Sequence, residues 1–270
     1  MNSILRLKAK IILRRRTEHI LSVVLFVVLI IIWELGVRKL GISPIVLPPP
    51  SRIGAALYRG LASGLYVFNF FYTFTELIIG FLLGSSLGIG LGILIALYPL
   101  VDRILYPYLV ALQSMPKIAV SPLIILWIGF GMSSKIVISA LVCFFPVLVN
   151  TVVGLRSVEQ DKVELIRSYC GSKWQIFRLV RFPSSLSFIF AGLQVGIVLS
   201  LLGTIVGEFV GAKHGLGNLI IQLNFTMDVA GVFSLLIILS LLGVFLNLSM
   251  RFLQRKIIFW QEEEGPRMSA

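Results

Sequence analysis

The chain has 270 residues, of which 57% are hydrophobic and only 13% are charged, and its mean hydropathy is +0.98. A water-soluble domain of this size cannot expose so much apolar surface, so the composition excludes a soluble protein and predicts an integral membrane protein. The net charge of +12 does not indicate a nucleic-acid binder. The basic residues collect between apolar runs without interleaved aromatic side chains, as in loops held at an anionic membrane face.

The chain begins with a basic segment, residues 1–19, followed by an apolar stretch at residues 20–37 that only Glu34 interrupts. This start resembles a secretory signal peptide, but no small-x-small cleavage site follows it. About 18 helical residues reach about 27 Å, close to the thickness of the hydrocarbon core of a bilayer. We therefore expect a retained first transmembrane helix with a cytoplasmic N-terminus.

Residues 41–68 contain four prolines within ISPIVLPPPSR and are expected to form an external loop with a short interfacial helix. The second span, residues 71–97, carries a row of glycines at four-residue spacing. Small residues on one helical face let two helix backbones approach closely, so the row predicts tight helix packing and says nothing of a substrate. The row consists of Gly80, Gly84, Gly88 and Gly92.

The third span, residues 104–128, contains Gln113, Pro116, Lys117 and Pro122. Two prolines and a lysine are costly in lipid, so we expect a broken helix whose polar groups face inward. A turn at residues 129–134 leads to the fourth span, residues 135–154.

The fifth span runs from residue 184 to about residue 210 and carries a second row of small or polar residues. An external turn, GAKHGLGN, separates it from the sixth span, residues 229–252. Residues 256–270 are expected to form a cytoplasmic tail, whose polar end EEEGPRMSA we expect to be disordered. The row on the fifth span is Gly192, Gly196, Ser200, Thr204 and Glu208.

Residues 155–183, called the charged segment below, form the longest charge-dense passage in the chain. Its apolar residues recur at steps of three and four, which places them on one face of a helix. Gly171 and Ser172 are expected to bend or break that helix, and Pro183 closes the passage. By itself this pattern fits either a protein-docking surface or an amphipathic helix resting on lipid headgroups. The apolar stripe is Val163, Ile166, Cys170, Trp174 and Phe177.

The distribution of basic residues predicts the orientation of the six spans. The two termini, residues 98–103 and the loop at residues 155–185 together hold 17 of the 24 Lys and Arg residues. The positive-inside rule therefore places both termini and the charged segment in the cytoplasm.

Several kinds of chemistry are missing from the sequence. It has no GxxxxGK[ST] phosphate loop, and Gly88, Gly90 and Gly92 sit inside a membrane helix where they cannot cradle a nucleotide. His19 and His214 lie on opposite sides of the expected membrane, so no metal or catalytic site is predicted. Cys143 and Cys170 have no spacing typical of a metal site or a disulfide. We expect no enzyme activity and no cofactor, and any energy source must be a separate protein.

Polar groups within the spans have two readings. In the first, they line or gate a polar path, because ionisable groups in lipid are expensive. In the second, Glu34, Lys117 and Glu208 lie near a membrane boundary where long side chains reach the headgroups, and Glu76 has a helix-end or interfacial role. For Glu208 the pathway reading is favoured. The candidate pathway residues are Glu76, Gln113, Pro116, Lys117, Ser200, Thr204 and Glu208.

The charged segment resembles the cytoplasmic coupling motif of permease subunits of bacterial ABC importers, which reads EAA, three residues, Gly, and later Leu-Pro. With the WQIF core aligned, Glu164 falls on the motif Glu and Pro183 on the motif Pro. Cys170 stands where the family has Gly, with Gly171 one place later, and Phe182 replaces Leu. The motif implies ATPase-coupling roles for Glu164, Ile166, Cys170, Gly171, Trp174, Phe177 and Pro183.

The resemblance extends through most of residues 20–255. The blocks WELGVR, TELIIGFLLGSSLGIGLG, QSMPKIAVSPLIILWIGFG, FFPVLVNTVVGL and GEFVGAKHGLGNLI are similar to the importer subfamily for nitrate, taurine, alkanesulfonates, pyrimidine thiamine precursors or riboflavin. This implies the all-α type I importer permease fold in a bacterial inner membrane. It also implies three partners: a second permease copy, cytoplasmic ATP-binding subunits that use the ATP, and an extracytoplasmic substrate-binding protein.

Two other classes of protein compete with the importer subunit. One is an ion- or proton-coupled secondary transporter that uses Glu76 and Glu208 and works without an ATPase. The other is a membrane-anchored scaffold without transport. The solute is not identified by the sequence, because related members of the subfamily carry unlike solutes on similar spans.

Overall fold

The computed structural model describes residues 2–260, with side chains described from residue 20 onward except at positions 106 and 110. The predicted all-helical fold is confirmed. The predicted tail at residues 256–270 falls largely outside the described residues, which end at 260. The helices are α1 (Asn2–Lys39), α2 (Pro50–Ala62), α3 (Leu65–Leu97), α4 (Pro99–Ser114), α5 (Ser121–Ile128), α6 (Met132–Arg156), α7 (Gln160–Ser168), α8 (Lys173–Ile176), α9 (Phe182–Gly211), α10 (Leu216–Phe225) and α11 (Val229–Ile257).

The number of membrane spans agrees with the sequence. Within residues 2–260, five helical stretches are long and apolar enough to cross a bilayer. A sixth span results if α4 and the Lys117–Ile128 stretch, which meet at a bend of 85°, count as one. Pro116 is extended at the break, with φ −70° and ψ 90°, and Pro122 occupies the first turn of α5, where a missing N–H costs nothing. The expected broken third span is thus explained by its two prolines.

The chain divides into two compact units, and the smaller one contains residues 1–65 and 222–236. In this unit the Glu34 carboxylate of α1 accepts hydrogen bonds from the Ser51 amide at 3.0 Å and the Ser51 hydroxyl at 2.8 Å. Arg38 donates to the same carboxylate at 2.6 Å. Because Pro49 provides no side-chain cap for α2, Glu34 satisfies an amide of the first turn of that helix. Glu34, the acidic residue of the first span, is therefore paired locally with the start of α2.

The larger unit, whose described residues are 66–221 and 237–260, is built on close contacts of α6 with α3 and α9. A Cβ added at Gly88 of α3 would lie 2.8 Å from the Phe144 carbonyl oxygen. A Cβ at Gly192 of α9 would lie 2.8 Å from the Asn150 Cβ. These distances are shorter than atoms tolerate, so only glycine permits these approaches. The same kind of contact occurs at Gly80, Gly84 and Gly92, and a Cβ at Gly196 would lie 3.0 Å from the Val147 Cγ2.

The apolar core of this unit lies between the same helices. Buried side chains from α3, α6, α9 and α11 pack together there, so the second half of α11 packs against the other three helices. Since lipid supplies no hydrophobic drive for helix association, this dispersion packing holds the bundle. The cluster comprises Leu77, Phe81, Cys143, Val147, Ile197, Leu242 and Leu246.

Substitution of Gly84 tests the close packing. A Cβ at Gly84 would lie 2.9 Å from the Ala140 Cα, whereas a Cβ at Gly90 of the same helix meets nothing within 4 Å. We expect Gly84→Ala to lower the free energy of unfolding by about 1–3 kcal/mol, because α3 and α6 must move apart. Gly90→Ala should not lower it, because alanine favours helix. Thermal unfolding of the purified variants in detergent measures the difference, and equal melting temperatures would contradict the packing account.

Candidate functional site

The charged segment folds as a short helix, a turn and a second helical stretch that run into the membrane bundle. After α7 the chain turns at residues 169–172 and continues through α8, a π-helical stretch (Phe177–Arg181) and α9. The expected break at Gly171 and Ser172 therefore lies between α7 and α8.

The predicted single apolar stripe is wrong. Val163 of α7 is buried against Ile176 and Val180, with Val158 and Ile166 partly buried beside them. Because the turn interrupts the helical period, the residues before and after it fold back on each other.

The turn itself is closed by a Schellman motif at the end of α7. The Gly171 amide donates to the Ile166 carbonyl at 2.9 Å, and the Cys170 amide donates to the Arg167 carbonyl at 2.8 Å. The motif requires a left-handed residue at Cys170, whose φ is +57°. Glycine adopts this conformation at no steric cost, which explains physically why a glycine suits this position and why Cys170 carries strain.

Gly171 and Ser172 fix the rest of the turn. A Cβ at Gly171 would lie 2.7 Å from the Ile166 carbonyl oxygen, so the chain passes too close to α7 for any side chain there. Ser172 then begins α8 with a capping box. Its hydroxyl accepts the Gln175 amide at 3.2 Å, and the Gln175 side chain accepts the Ser172 amide at 2.7 Å.

The outer face of the charged segment exposes aromatic and apolar side chains. Trp174 is 64% exposed and stacks on Phe177 at 5.5 Å between ring centroids, and Phe177 contacts Phe182 at 5.8 Å. Tyr169 is 80% exposed, and Glu164 is exposed without an ion-pair partner in the described part of the chain. An exposed aromatic surface bordered by charges is typical of a protein-docking site.

Pro183, at which the charged segment closes, does not interrupt the helix. The helical run continues from Lys173 to Gly211, with Pro183 in the first turn of α9. The π-helical stretch precedes it, and the Phe182 amide donates to the Phe177 carbonyl five residues back. The extra residue in this turn accommodates a proline that lacks an N–H and would otherwise clash with the preceding turn. The charged segment is thereby continuous with a core helix.

A second connection joins the charged segment to the bundle. Arg156, the last residue of α6, pairs with Asp102 of α4 at 2.9 Å, and its guanidinium donates to the Ile95 carbonyl of α3 at 3.4 Å. Arg156 therefore fixes the point where the charged segment leaves α6.

Near the opposite end of α9, a buried polar cluster joins α3, α6, α9 and α10. The Glu208 carboxylate accepts the Thr73 hydroxyl at 2.6 Å and the Gly217 amide at 2.6 Å. Thr73 also accepts the Leu216 amide at 2.8 Å, and Asn69 accepts the Gly215 amide at 2.7 Å. Side chains of α3 and α9 thus satisfy three amides at the start of α10.

Lys135 is the cation of this cluster and is only 1% exposed. Its Nζ donates to the carbonyls of Phe130 at 2.9 Å, Gly131 at 3.0 Å and Gly211 at 2.5 Å. Glu76 lines the same cavity as Lys135. A buried ammonium is tolerated when its three donors are satisfied and acidic groups lie nearby.

The predicted pathway residues separate into two groups. Ser200 and Thr204 are fully buried in the helix packing, where Ser200 donates to the Leu77 carbonyl at 3.2 Å and Thr204 donates to the Ser200 carbonyl at 3.0 Å. Glu76 and Glu208 belong to the buried polar cluster. The structure does not bring these four residues together with Gln113, Pro116 and Lys117.

Gln113 and Pro116 are exposed at the broken third span, and Lys117 is half-buried beside them. Lys117 Nζ donates to the Gln113 carbonyl at 3.1 Å and lies 4.6 Å from the centre of the Phe145 ring. Gln113 and Phe145 line a cleft of about 520 Å³ with apolar walls from α6 and the Arg156–Asp102 pair. For these residues a pathway role stays a prediction.

Sequence reasoning missed Asn69, Thr73 and Lys135 as members of the buried polar cluster. The sequence held a signal for Asn69 and Thr73. Together with Glu76 they extend the glycine row of α3 toward its N-terminus on the same helical face. Lys135 had no such signal, because one of its carbonyl partners is Gly211, the last residue of α9, which only the fold brings next to α6.

Comparison with known proteins identifies the class to which this fold and these sites belong. The sequence model of the family described as binding-protein-dependent transport system inner membrane component matches residues 88–259. The chain belongs to this family, the permeases of ABC transporters, and is a membrane transport subunit whose relatives are named as permeases and not as enzymes.

Three curated relatives cover nearly the whole chain. The formylaminopyrimidine transport permease protein ThiX of Halalkalibacterium halodurans is 33% identical over 252 residues, 93% of this chain and 100% of the relative. The riboflavin transport system permease protein RibX of Chloroflexus aurantiacus is 34% identical, and the match covers 88% of this chain and 89% of the relative. The taurine transport system permease protein TauC of Escherichia coli is 27% identical and covers 90% of each. The expected subfamily is thereby confirmed.

Solved structures agree on the fold. An inward-facing crystal form of the MetNI methionine ABC transporter superposes with a TM-score of 0.65 at 17% identity, over 73% of this chain and 97% of the other. The predicted type I importer permease fold is confirmed.

Replacement of Cys170 tests the strained turn. Cys170→Gly should raise the free energy of unfolding by about 1 kcal/mol, because glycine adopts the left-handed conformation without strain. Cys170→Ala keeps the Cβ and removes only the thiol, so its stability should equal that of the wild type. Chemical or thermal unfolding in detergent measures both, and equal stabilisation by Ala and Gly would assign the effect to the thiol instead.

A double-mutant cycle tests the buried polar cluster. Lys135→Met and Glu208→Gln should each lower the free energy of unfolding by about 1–3 kcal/mol, because each leaves buried hydrogen-bonding groups without their partner. The double variant should lose less than the sum of the two. Lys213→Met, at an exposed lysine nearby, should change stability by less than about 0.5 kcal/mol. Strict additivity of the two core substitutions would show that Lys135 and Glu208 do not interact.

Proposed function

We propose that this chain is the membrane-spanning subunit of an ATP-driven importer and that the outer face of the charged segment docks an ATPase subunit. The observation that carries the proposal is that Trp174 and Glu164 are exposed on a segment continuous with α9, with Trp174 stacked on the half-buried Phe177. Aromatic anchors with flanking charges give affinity and fix orientation in protein interfaces. The chain itself holds no cofactor in this proposal, since ATP is used by the partner.

The remaining components follow from the same proposal. Two permease copies form a homodimer in a bacterial inner membrane, with both termini in the cytoplasm, and an extracytoplasmic binding protein delivers the solute. The basic N-terminus and the basic charged segment support this orientation. Gln113, Pro116 and Lys117 line the path at the broken third span, where exposed polar groups and freed carbonyls accompany the break.

The names of the relatives indicate which kinds of solute to consider. Formylaminopyrimidine and riboflavin are heteroaromatic compounds, and taurine is a sulfonate. We propose a small solute of one of these two kinds, a pyrimidine thiamine precursor or riboflavin-like compound, or a sulfonate, taurine or nitrate-like anion. Uptake assays with one representative of each class distinguish them.

Association with the ATPase tests the docking role. Trp174→Ala and Glu164→Ala should each reduce co-purification of the ATPase at least about tenfold, since loss of an interface anchor costs about 2 kcal/mol or more. Trp127→Ala, which removes an exposed tryptophan outside the charged segment, should leave co-purification unchanged. Undiminished assembly and transport in both charged-segment variants would refute the docking role.

Reconstitution separates the importer from a secondary transporter. Liposomes that contain this chain with its ATPase and binding protein should take up the solute only with ATP, and liposomes with this chain alone should show no uptake under an ion or proton gradient. Gradient-driven uptake by the chain alone, abolished by Glu76→Gln or Glu208→Gln, would support the secondary transporter.

A further inference from the structure

The smaller unit contains a cleft that the proposed transport function does not use. It has a volume of about 360 Å³ and lies between α2 and the start of α11. Arg52 and Arg59 line it from α2, and Asp228, Val229 and Ala230 line it from α11.

The two arginines present their charge to the same cleft. They are seven residues apart on α2, which places them on one face about 10.5 Å apart along the axis, within reach of one ligand. Both residues are exposed, and within residues 20–260 neither has a carboxylate within ion-pair distance. Guanidinium groups without protein partners are suited to phosphate, which they bind through paired hydrogen bonds.

The first turn of α11 adds amide donors. Asp228 Oδ1 accepts the Gly231 amide at 2.9 Å, and the Asp228 carbonyl accepts the Val232 amide at 3.1 Å. Val229 and Ala230 also line the cleft, and among residues 20–260 their amides have no hydrogen-bond acceptor, so they are available to a ligand. The positive end of a 29-residue helix therefore faces the same space as the two arginines. The Asp228 carboxylate is the single acidic group in the cleft lining.

The surroundings indicate the source of the phosphate. The helix α2 lies in the connection between two candidate spans, Ile20–Lys39 and Leu65–Leu97, and a segment that joins two spans lies near the lipid headgroups. Exposed apolar side chains border the cleft, with Ile45 57% and Met227 63% exposed. A phospholipid meets both features, because its phosphate reaches the arginines while its acyl chains cover the apolar rim.

We propose that this cleft binds the phosphate of an anionic phospholipid. Arg52 and Arg59 hold the phosphate oxygens, and the Val229 and Ala230 amides complete the site. Two guanidinium groups against one carboxylate give the site a positive excess, so an anionic headgroup binds better than a zwitterionic one.

Native mass spectrometry of the full chain in detergent tests the site, with dioleoylphosphatidylglycerol and dioleoylphosphatidylcholine as probes. The wild type should retain phosphatidylglycerol at lower lipid concentration than phosphatidylcholine. Arg52→Gln with Arg59→Gln should weaken phosphatidylglycerol retention roughly tenfold, because two charge-assisted contacts are lost. Arg103→Gln, at an exposed arginine of α4, should not change retention. Equal retention by the double variant and the wild type would overturn the proposal.

Two further arms distinguish other sources of the anion. Millimolar inorganic phosphate should not displace the lipid, and displacement would identify a free-phosphate site instead. If the double variant keeps phosphatidylglycerol but no longer associates with the binding protein, the cleft is a protein-docking surface and the proposal fails. Arg52→Lys with Arg59→Lys retains both charges and should give intermediate lipid retention, which excludes misfolding as the cause of the loss.

Discussion

The direct contact of the α6 backbone with glycines of α3 and α9 is the constraint on which the larger unit depends. In lipid, apolar side chains gain nothing by leaving their surroundings, so helices associate through close dispersion packing. Glycine in α3 and α9 removes the side chains that would separate the axes, and Gly88 and Gly192 meet α6 with no space for a methyl group. Because helices packed this closely have little room to deform, α3, α6 and α9 should move together as one rigid body.

The continuity of one helical run connects these helices to the proposed docking surface. The run from Lys173 to Gly211 is 39 residues long, or about 58 Å, and carries Trp174 near one end and Glu208 near the other. The π-helical stretch before Pro183 preserves the continuity where proline would otherwise break it. Movement of the charged segment would therefore pass directly into α9. At the far end, Glu208 and Lys135 tie α9 to the start of α10 and to the loop before α6.

Much of this architecture could be predicted because it depends on local pattern. Apolar length located the spans, the glycine row of α3 located a packed face, and Pro116 with Pro122 located the broken span. The charged segment was recognised from Glu164, the WQIF core and Pro183. The roles of these coupling residues and of the pathway residues stay predictions.

The rest could not be predicted because it depends on contacts between distant residues. Val163 turns inward since Ile176 and Val180 fold back on it, which a single helical period does not show. Lys135 binds the Gly211 carbonyl, 76 residues away, and Glu34 caps α2 across a loop. The left-handed conformation of Cys170 became clear only with the hydrogen bonds of the turn, although the motif had marked this position by its missing glycine.

Site-specific photo-crosslinking in membranes tests most directly whether the charged segment contacts an ATPase. A benzophenone amino acid at position 174 should crosslink to the ATPase subunit on irradiation, and the same amino acid at position 127 should not. The yield at position 174 should fall when Glu164 is replaced by alanine. If position 174 crosslinks only to lipid, or positions 174 and 127 reach the ATPase equally, the charged segment is not the docking surface.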